Sequence, residues 1–205
     1  MYKKPIIVFE GIEGSGKSHH IKKVANFLKK KKISFLLLRE PGGNKNSEKI
    51  RNLILSKNNK FNKNTDLLLY LSSRSENITL LKKNYKKKVI LIDRFIDSTI
   101  AYQHYGMGLS LSLINYINKY LLTNLKVDFT FLNIVGEKNM VKRISKRKIL
   151  NRYDKFNKNL YKKVQKGFLE ISKKNQNKYL IINSNLDIKE NEELINNKII
   201  KLLKI

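Results

Sequence analysis

The sequence predicts an α/β fold of three layers, in which a five-stranded parallel sheet lies between helices on its two faces. Short, continuously apolar stretches alternate with longer segments whose apolar residues recur at helical spacing. This alternation runs through the whole sequence, without an internal repeat or a linker between domains. We therefore expect a single domain over residues 1–205, a length at which one hydrophobic core is normal.

The predicted strands share a continuously apolar, β-prone composition. Such runs are typical of strands that are buried on both faces, as they are in parallel sheets. The five stretches are Ile6–Phe9, Ser34–Leu38, Val89–Asp93, Phe129–Ile134 and Tyr179–Ile182.

The segments between these strands carry apolar residues three and four positions apart, which predicts helices. The helices cover 17–31, a stretch from Ser47, Thr65–Asn84, Ser110–Leu122, a stretch from Glu137, Asp154–Lys174 and Ile188–Ile205. The polar segment Arg94–Gly108 has no clear helical period, and we predict a loop there.

A phosphate-binding loop is predicted between the first strand and the first helix. Gly11, Gly16, Lys17 and Ser18 fit the pattern GxxxxGK[ST], in which small residues let backbone N–H groups turn towards a phosphate at a helix N-terminus. The alternative is a glycine-rich turn that binds nothing. The residues assigned to ATP binding are Gly11, Ile12, Glu13, Gly14, Ser15, Gly16, Lys17 and Ser18.

The expected metal is Mg²⁺, bound together with ATP. The chain has no cysteine and only 3 histidines, which excludes thiolate sites and disulfides and leaves little for zinc. Asp93 ends the third predicted strand, where an acid commonly holds magnesium directly or through water. The alternative is that Asp93 caps the next turn. We predict that Ser18 and Asp93 bind the metal.

The loops after the first three strands should meet in one crevice. In parallel sheets, ligands bind beyond the carboxyl ends of the strands. These loops, at Glu10–Ser18, Arg39–Gly43 and Asp93–Gln103, contain glycines, arginines and carboxylates around the predicted triphosphate. A positive, glycine-lined cleft with one metal-binding acid indicates phosphoryl transfer.

The formal net charge of +28 is the strongest feature of the composition. A basic surface attracts polyanions, so a nucleic-acid-binding ATPase is one interpretation. The lysines are scattered among asparagines and isoleucines without interleaved aromatic residues, which favours a general compositional drift. No apolar run reaches the ~20 residues that span a bilayer. We expect a cytoplasmic protein that binds neither membranes nor specific nucleic acid.

Four motifs together resemble the thymidylate kinase family. They are FEGIEGSGKS, LREPGG, LLLYLSSRSE and DRFIDSTIAYQ, in this order, within a resemblance that extends from Ile6 to Ile182. The last motif is more diagnostic than the phosphate loop, which unrelated ATPases share. The resemblance implies that the protein phosphorylates dTMP to dTDP with ATP and forms a homodimer. A kinase for another pyrimidine monophosphate is the alternative within the same chemistry.

The resemblance also implies an acceptor site. Glu13 matches the acid at the sugar, Tyr70 the aromatic residue that stacks on thymine, and Arg74 the arginine at the carbonyl edge of the base. The resemblance assigns Arg39 and Arg94 to the phosphate of the acceptor. Arg51 has two interpretations: it forms an ordinary surface pair with Glu48, or it also contacts this phosphate. The substrate-binding set is Glu13, Arg39, Arg51, Tyr70, Arg74, Arg94, Ser98, Tyr102 and Gln103.

A lid over about residues 143–155 completes the site that the resemblance implies. Because the phosphate loop contains no arginine, the chain resembles the bacterial type in which lid arginines supply the missing charge. Asn151 stands where the family usually has aspartate, and Asp154 is the candidate to replace that carboxylate. The predicted catalytic residues are Lys17, Asp93, Arg94, Arg147 and Arg152.

Overall fold

The fold comes from a computed structural model that describes residues 4–147, 153 and 158–205. The sheet has five parallel strands in the order β2-β3-β1-β4-β5. They are β1 Ile6–Glu10, β2 Phe35–Arg39, β3 Val89–Asp93, β4 Phe129–Ile134 and β5 Tyr179–Asn183. The predicted fold class and strand number are confirmed.

Helices cover both faces of the sheet. They are α1 Lys17–Lys30, α2 Lys45–Leu55, α3 Lys63–Asn84, α4 Ile96–Thr99, α5 Leu111–Leu122, α6 Glu137–Ser145, α7 Lys158–Lys173 and α8 Ile188–Leu203. A short 3₁₀ helix, Gln176–Lys178, precedes β5. Residues 154–157 of the predicted helix Asp154–Lys174 lie outside the described residues.

The central strand β1 shows how the two halves of the core form. Successive side chains of a strand point to opposite faces. Ile7 and Phe9 therefore pack in the layer of α1 and α8, whereas Ile6 and Val8 pack with residues of α3 and α5. All four side chains are almost fully buried, as the continuous apolar run predicts.

The segment Arg94–Gly108 is helical for most of its length, so the predicted loop is wrong there. α4 continues as a π-helix, Ile100–Gly106. The wide turn buries Ala101, Tyr102 and Gln103 in succession, a pattern that a period of 3.6 residues does not produce. The buried side of this segment faces a cavity and therefore carries polar residues such as Gln103. For this reason the sequence shows no apolar residues at helical spacing here.

The strand β1 lies between β3 and β4. After β1 the chain forms β2 at one edge of the sheet and then β3, and it crosses to the other side of β1 to form β4 and β5. The carboxyl ends of β1, β2 and β3 are therefore neighbours, and their loops share one edge of the sheet. Among the helices of the described part of the chain, none has the length and apolar character needed to cross a membrane.

Candidate active site

The phosphate loop is held in a conformation that requires glycine. Gly11, Gly14 and Gly16 have φ values of 135°, 71° and 87°. At Gly11 a Cβ would lie 2.1 Å from the carbonyl oxygen of Asn133, so no side chain fits between the loop and β4. Gly16 begins α1 without a side-chain cap, which leaves the first N–H groups of the helix available to a ligand.

Lys17 lies buried beneath this loop. Its Nζ donates to the carbonyl oxygen of Ile12 at 2.8 Å and to Ser15 Oγ at 3.4 Å. Burial, reinforced by the charge of Arg94, lowers the pKa of Lys17 to about 7. A phosphate bound in the loop would counteract both effects, because an opposite charge nearby favours the protonated amine. The ammonium group is thus positioned before any ligand arrives.

Ser18 and Asp93 come together as the metal prediction requires. Ser18 Oγ donates to Asp93 Oδ2 at 2.9 Å, joining the start of α1 to the end of β3. A hydroxyl and a carboxylate are hard oxygen ligands that suit Mg²⁺, which in phosphoryl-transfer sites takes its remaining ligands from phosphates and water. Among the described residues, no group of three or more His, Cys, Asp or Glu side chains lies close enough together to hold a metal ion.

One cavity of about 210 Å³ opens at the carboxyl ends of β1, β2 and β3. It brings together every residue of the predicted substrate-binding set with the predicted catalytic residues that the structure describes. Its lining includes Glu13, Lys17, Ser18, Arg39, Arg51, Tyr70, Arg74, Asp93, Arg94, Ser98, Tyr102, Gln103 and Arg147. Arg152, together with Asn151 and Asp154 of the predicted lid, lies outside the described residues.

Arg94 and Glu13 form the ion pair at the centre of this cavity. Arg94 follows β3 with φ at +66° and donates to Glu13 Oε1 at 2.7 Å and to the carbonyl oxygen of Gly11 at 2.8 Å. The hydroxyl of Tyr102 donates to Glu13 Oε2. Burial alone would raise the pKa of Glu13, but the charges of Arg94 and Lys17 hold it below its ordinary value. The pair therefore stays ionised.

Arg74 is the most enclosed cation of the site, with only 1% of its surface exposed. It donates to Glu40 at 2.8 Å, to Asn118 at 2.6 Å and to Thr99 at 3.0 Å. Because a guanidinium carries five N–H groups, these contacts fix the side chain and still leave donors for a ligand. The predicted partner of the base is therefore held rigidly at the cavity wall.

Arg39 and Arg51 lie at the outer side of the cavity. Arg39 pairs with Glu48, which also accepts a hydrogen bond from the backbone N–H of Gly43. Arg51 donates to the carbonyl oxygen of Pro41 at 2.7 Å. The alternative of an Arg51–Glu48 surface pair finds no support in these contacts, because the carboxylate holds Arg39 instead.

Tyr70 lies beside the arginines and packs edge-to-face against Tyr153, with ring centroids 6.1 Å apart. Burial raises the pKa of Tyr70 to about 12, so the phenol is neutral and its ring presents an uncharged surface. The ring lines the cavity, where the predicted stacking role would require it to lie. Tyr153 was missed by the sequence prediction, since it stands next to the lid motif without a signal of its own.

Glu10 is a second residue that sequence reasoning missed. Its carboxylate is fully buried at the end of β1 and accepts hydrogen bonds from Phe95 N at 2.7 Å, Ser98 N at 3.2 Å and Ser98 Oγ at 2.5 Å. It thereby holds the segment that carries Arg94. Burial, with the nearby charge of Asp97, raises the pKa of Glu10. The one available signal was an acid ending an apolar strand.

Comparison with known proteins agrees with this geometry. The family model described as thymidylate kinase matches residues 9–195. The chain belongs to the thymidylate kinase family. A relative from Sulfurihydrogenibium sp. (strain YO3AOP1), named thymidylate kinase, is 36% identical over 192 residues, which cover 92% of this chain and 93% of that protein.

Other members of the family are similar over nearly the whole chain. The thymidylate kinase of Acholeplasma laidlawii is 36% identical over 200 residues, covering 96% of this chain and 99% of that one. The crystal structure of thymidylate kinase from Ehrlichia chaffeensis superimposes with a TM-score of 0.77 at 31% identity, covering 97% of this chain and 98% of that one. The family predicted from the four motifs is confirmed.

The buried carboxyl of Glu10 predicts a pH-dependent stability. Because its pKa is raised in the folded state, the native protein binds more protons than the unfolded chain between pH 4.5 and about 7. The free energy of unfolding should fall as pH rises through this range, by at most about 1.4 kcal/mol per pH unit for one proton. Glu10→Gln should flatten this fall in urea unfolding curves.

Glu190→Gln, at an exposed position of α8, is the matched control and should leave the pH profile as it is. A profile of Glu10→Gln that fell as steeply as the wild-type profile would show that another group is responsible.

Proposed function

We propose that this protein is a thymidylate kinase that transfers the γ-phosphoryl group of ATP to dTMP, giving dTDP. One observation carries the proposal: a single cavity joins the phosphate loop and Lys17 to the arginines and the aromatic wall of the predicted acceptor site. The relatives named above, which bear the name thymidylate kinase, support the same activity.

The arrangement is suited to bring two anions together. The loop and Lys17 would hold the donor phosphates, while Arg94, Arg39 and Arg51 would hold the acceptor phosphate on the opposite side. Two polyanions repel each other in water, so fixed positive charges offset this repulsion and align the reacting groups. Phosphoryl transfer needs positioning and charge stabilisation from the protein and no covalent intermediate.

Ser18 and Asp93 would hold the magnesium ion that accompanies ATP. The metal would neutralise part of the negative charge on the phosphates of ATP. The hydrogen bond between the two side chains keeps both oxygens at one place beside the loop. This contact supports the predicted metal role.

Recognition of the nucleoside rests on five groups in our proposal, of which Arg74 would donate to the carbonyl edge of the base. Tyr70 would stack on the base, and Glu13 with Tyr102 would bind the sugar. Gln103 is 1% exposed, and its Nε2 has no hydrogen-bond partner within the described residues. A buried amide donor of this kind is costly unless a ligand accepts its hydrogen bond. A carbonyl oxygen of a pyrimidine would do so.

The lid would supply the last positive charge. Arg147 follows α6 and lines the cavity, and we expect Arg152 to belong to the same lid. We propose that residues 1–205 form one kinase domain whose lid lies at about 143–155. Closure would place these guanidinium groups against the transferring phosphoryl group and exclude water.

The choice of acceptor tests the function directly. In a coupled assay with ATP and Mg²⁺, dTMP should be the best acceptor, dUMP should be accepted less well, and AMP and GMP should be poor. A 5-methyl group adds an apolar contact of only ~1–3 kcal/mol, so discrimination against dUMP is modest. Equal turnover of purine and pyrimidine monophosphates would contradict the proposal, as would ATP hydrolysis that depends on added DNA or RNA.

Two variants should separate acceptor binding from catalysis. Tyr70→Ala removes the stacking surface and should raise the KM for dTMP about tenfold with a smaller effect on kcat. Arg147→Ala removes charge stabilisation and should lower kcat by about 10²–10⁴-fold with little change in dTMP binding.

Lys146→Ala is the matched control for Arg147→Ala, because it removes a neighbouring positive charge. Steady-state kinetics of the three variants would decide. Equal small losses of kcat in Lys146→Ala and Arg147→Ala would show that these residues contribute only a general positive potential, which contradicts a catalytic role of Arg147. A Tyr70→Ala enzyme with unchanged kinetic constants would contradict the assignment of Tyr70 to the acceptor site.

We also propose that the protein forms a homodimer through α5. Leu113, Tyr116 and Tyr120 are 46%, 73% and 78% exposed and share one face at helical spacing. Exposed apolar stripes of this kind mark interaction surfaces. Sedimentation velocity should show a dimer that Tyr116→Glu shifts to monomer, while Leu194→Glu, at an exposed apolar position of α8, does not. A wild-type monomer would contradict the proposal.

A further inference from the structure

Two side chains from outside the phosphate loop hold its backbone carbonyl groups. Ser184, which follows β5, is 5% exposed, and its Oγ donates to the carbonyl oxygen of Ser15 at 2.6 Å. Arg143 of α6 donates from NH1 to the carbonyl oxygen of Gly14 at 3.0 Å and from NH2 to that of Ser184 at 2.6 Å. The three contacts form one connected clamp on two successive peptide groups.

The clamp determines where the N–H groups of the loop point. In a trans peptide, the C=O and N–H bonds are held in one plane and point in opposite directions. Fixing the carbonyl of Gly14 towards Arg143 therefore turns the N–H of Ser15 the other way, towards the inside of the loop, where it makes a long hydrogen bond of 3.4 Å to the carbonyl oxygen of Ile12. Fixing the carbonyl of Ser15 towards Ser184 likewise turns the N–H of Gly16 away from Ser184.

The loop needs such an external constraint because of its glycines. Gly14 and Gly16 have positive φ values, and glycine populates positive and negative φ about equally. The peptide groups between them would sample several orientations on their own. A phosphate that bound to such a loop would have to order it first, which lowers affinity.

The clamp is itself anchored in the sheet. The N–H of Ser184 donates to the carbonyl oxygen of Ile134 at 2.9 Å, at the end of β4. Asn191 of α8 donates to the carbonyl oxygen of Asn183 at 3.0 Å. On the other side, a Cβ at Gly14 would lie 3.2 Å from the carbonyl oxygen of Met140, so α6 packs directly against the loop.

We propose that Ser184 and Arg143 are positioning residues for the donor phosphates: they preset the N–H groups of the loop so that phosphate oxygens are bound without reordering. The inference rests on the proposed function only in taking ATP as the donor. It assigns to Ser184 an effect on polyphosphate binding that is independent of the nucleoside and of dTMP.

The test compares Ser184→Ala with Ser172→Ala. Ser172 of α7 is a matched control, because it is 4% exposed and its hydroxyl likewise donates to a backbone carbonyl, that of Leu169 at 2.8 Å. Affinities for ATP and for inorganic tripolyphosphate are measured by competition against a fluorescent ATP analogue in the presence of Mg²⁺. The affinity for dTMP is measured by calorimetry.

Ser184→Ala should weaken ATP and tripolyphosphate alike, by about tenfold, the effect of one lost buried hydrogen bond. The affinity for dTMP should not change, and Ser172→Ala should bind all three ligands as the wild type does. Arg143→Lys keeps the charge but replaces the two nitrogens that reach the two carbonyl groups by a single one, and it should weaken the same two ligands. This second variant decides the question if Ser184→Ala does not fold, which circular dichroism reports.

Three results would overturn the inference. They are unchanged tripolyphosphate binding in the folded variants, a loss confined to ATP, which would indicate a contact with the nucleoside, and an equal loss of dTMP affinity, which would indicate general destabilisation. Because the readout is binding, it is separate from the kinase assay. If the wild type failed to phosphorylate dTMP and Ser184→Ala still bound tripolyphosphate more weakly than the wild type, the proposed function would be wrong and the inference would remain supported.

Discussion

The active site depends on ion pairs that join three of its guanidinium groups to carboxylates from other parts of the chain. Arg94 pairs with Glu13, Arg74 with Glu40, and Arg39 with Glu48. Positive charges collected in one cavity would repel each other and lose their hydration, and a carboxylate partner offsets both costs. The first pair joins the loop after β1 to the end of β3, and the other two join the end of β2 to α3 and α2. The same ion pairs therefore compensate the charges of the arginines and hold together the elements that form the cavity.

These pairs differ in how firmly they hold their arginine. The side chain of Arg74 is 2% exposed and that of Arg94 is 18% exposed, whereas that of Arg39 is 54% exposed. An exposed pair is screened by water and holds its partners weakly, whereas breaking a buried pair leaves an uncompensated charge. The inner wall of the cavity is consequently rigid, and Arg39 at its mouth is free to exchange its carboxylate for an incoming anion.

The sequence predicted the features that local pattern determines. The five strands and the phosphate loop follow from apolar runs and glycine spacing, whereas the acceptor residues were named through the family resemblance. The π-helix was missed because Ala101, Tyr102 and Gln103 are buried in succession around a ligand cavity. Ser184 was missed because it meets Ser15 from 169 residues away, and such a contact depends on the packed sheet and leaves no mark on the neighbouring residues.

The close approach of Gly11 to Asn133 also has a consequence for the gene. Lysine, asparagine and isoleucine, in which this chain is rich, can be encoded by triplets made only of adenine and thymine, whereas every glycine codon begins with two guanines. A Cβ at position 11 would overlap the backbone carbonyl of Asn133 in the central sheet. Because the obstacle is backbone, a change of side-chain rotamer would not relieve the overlap. However strongly mutation favours adenine and thymine, selection must retain guanine at this codon.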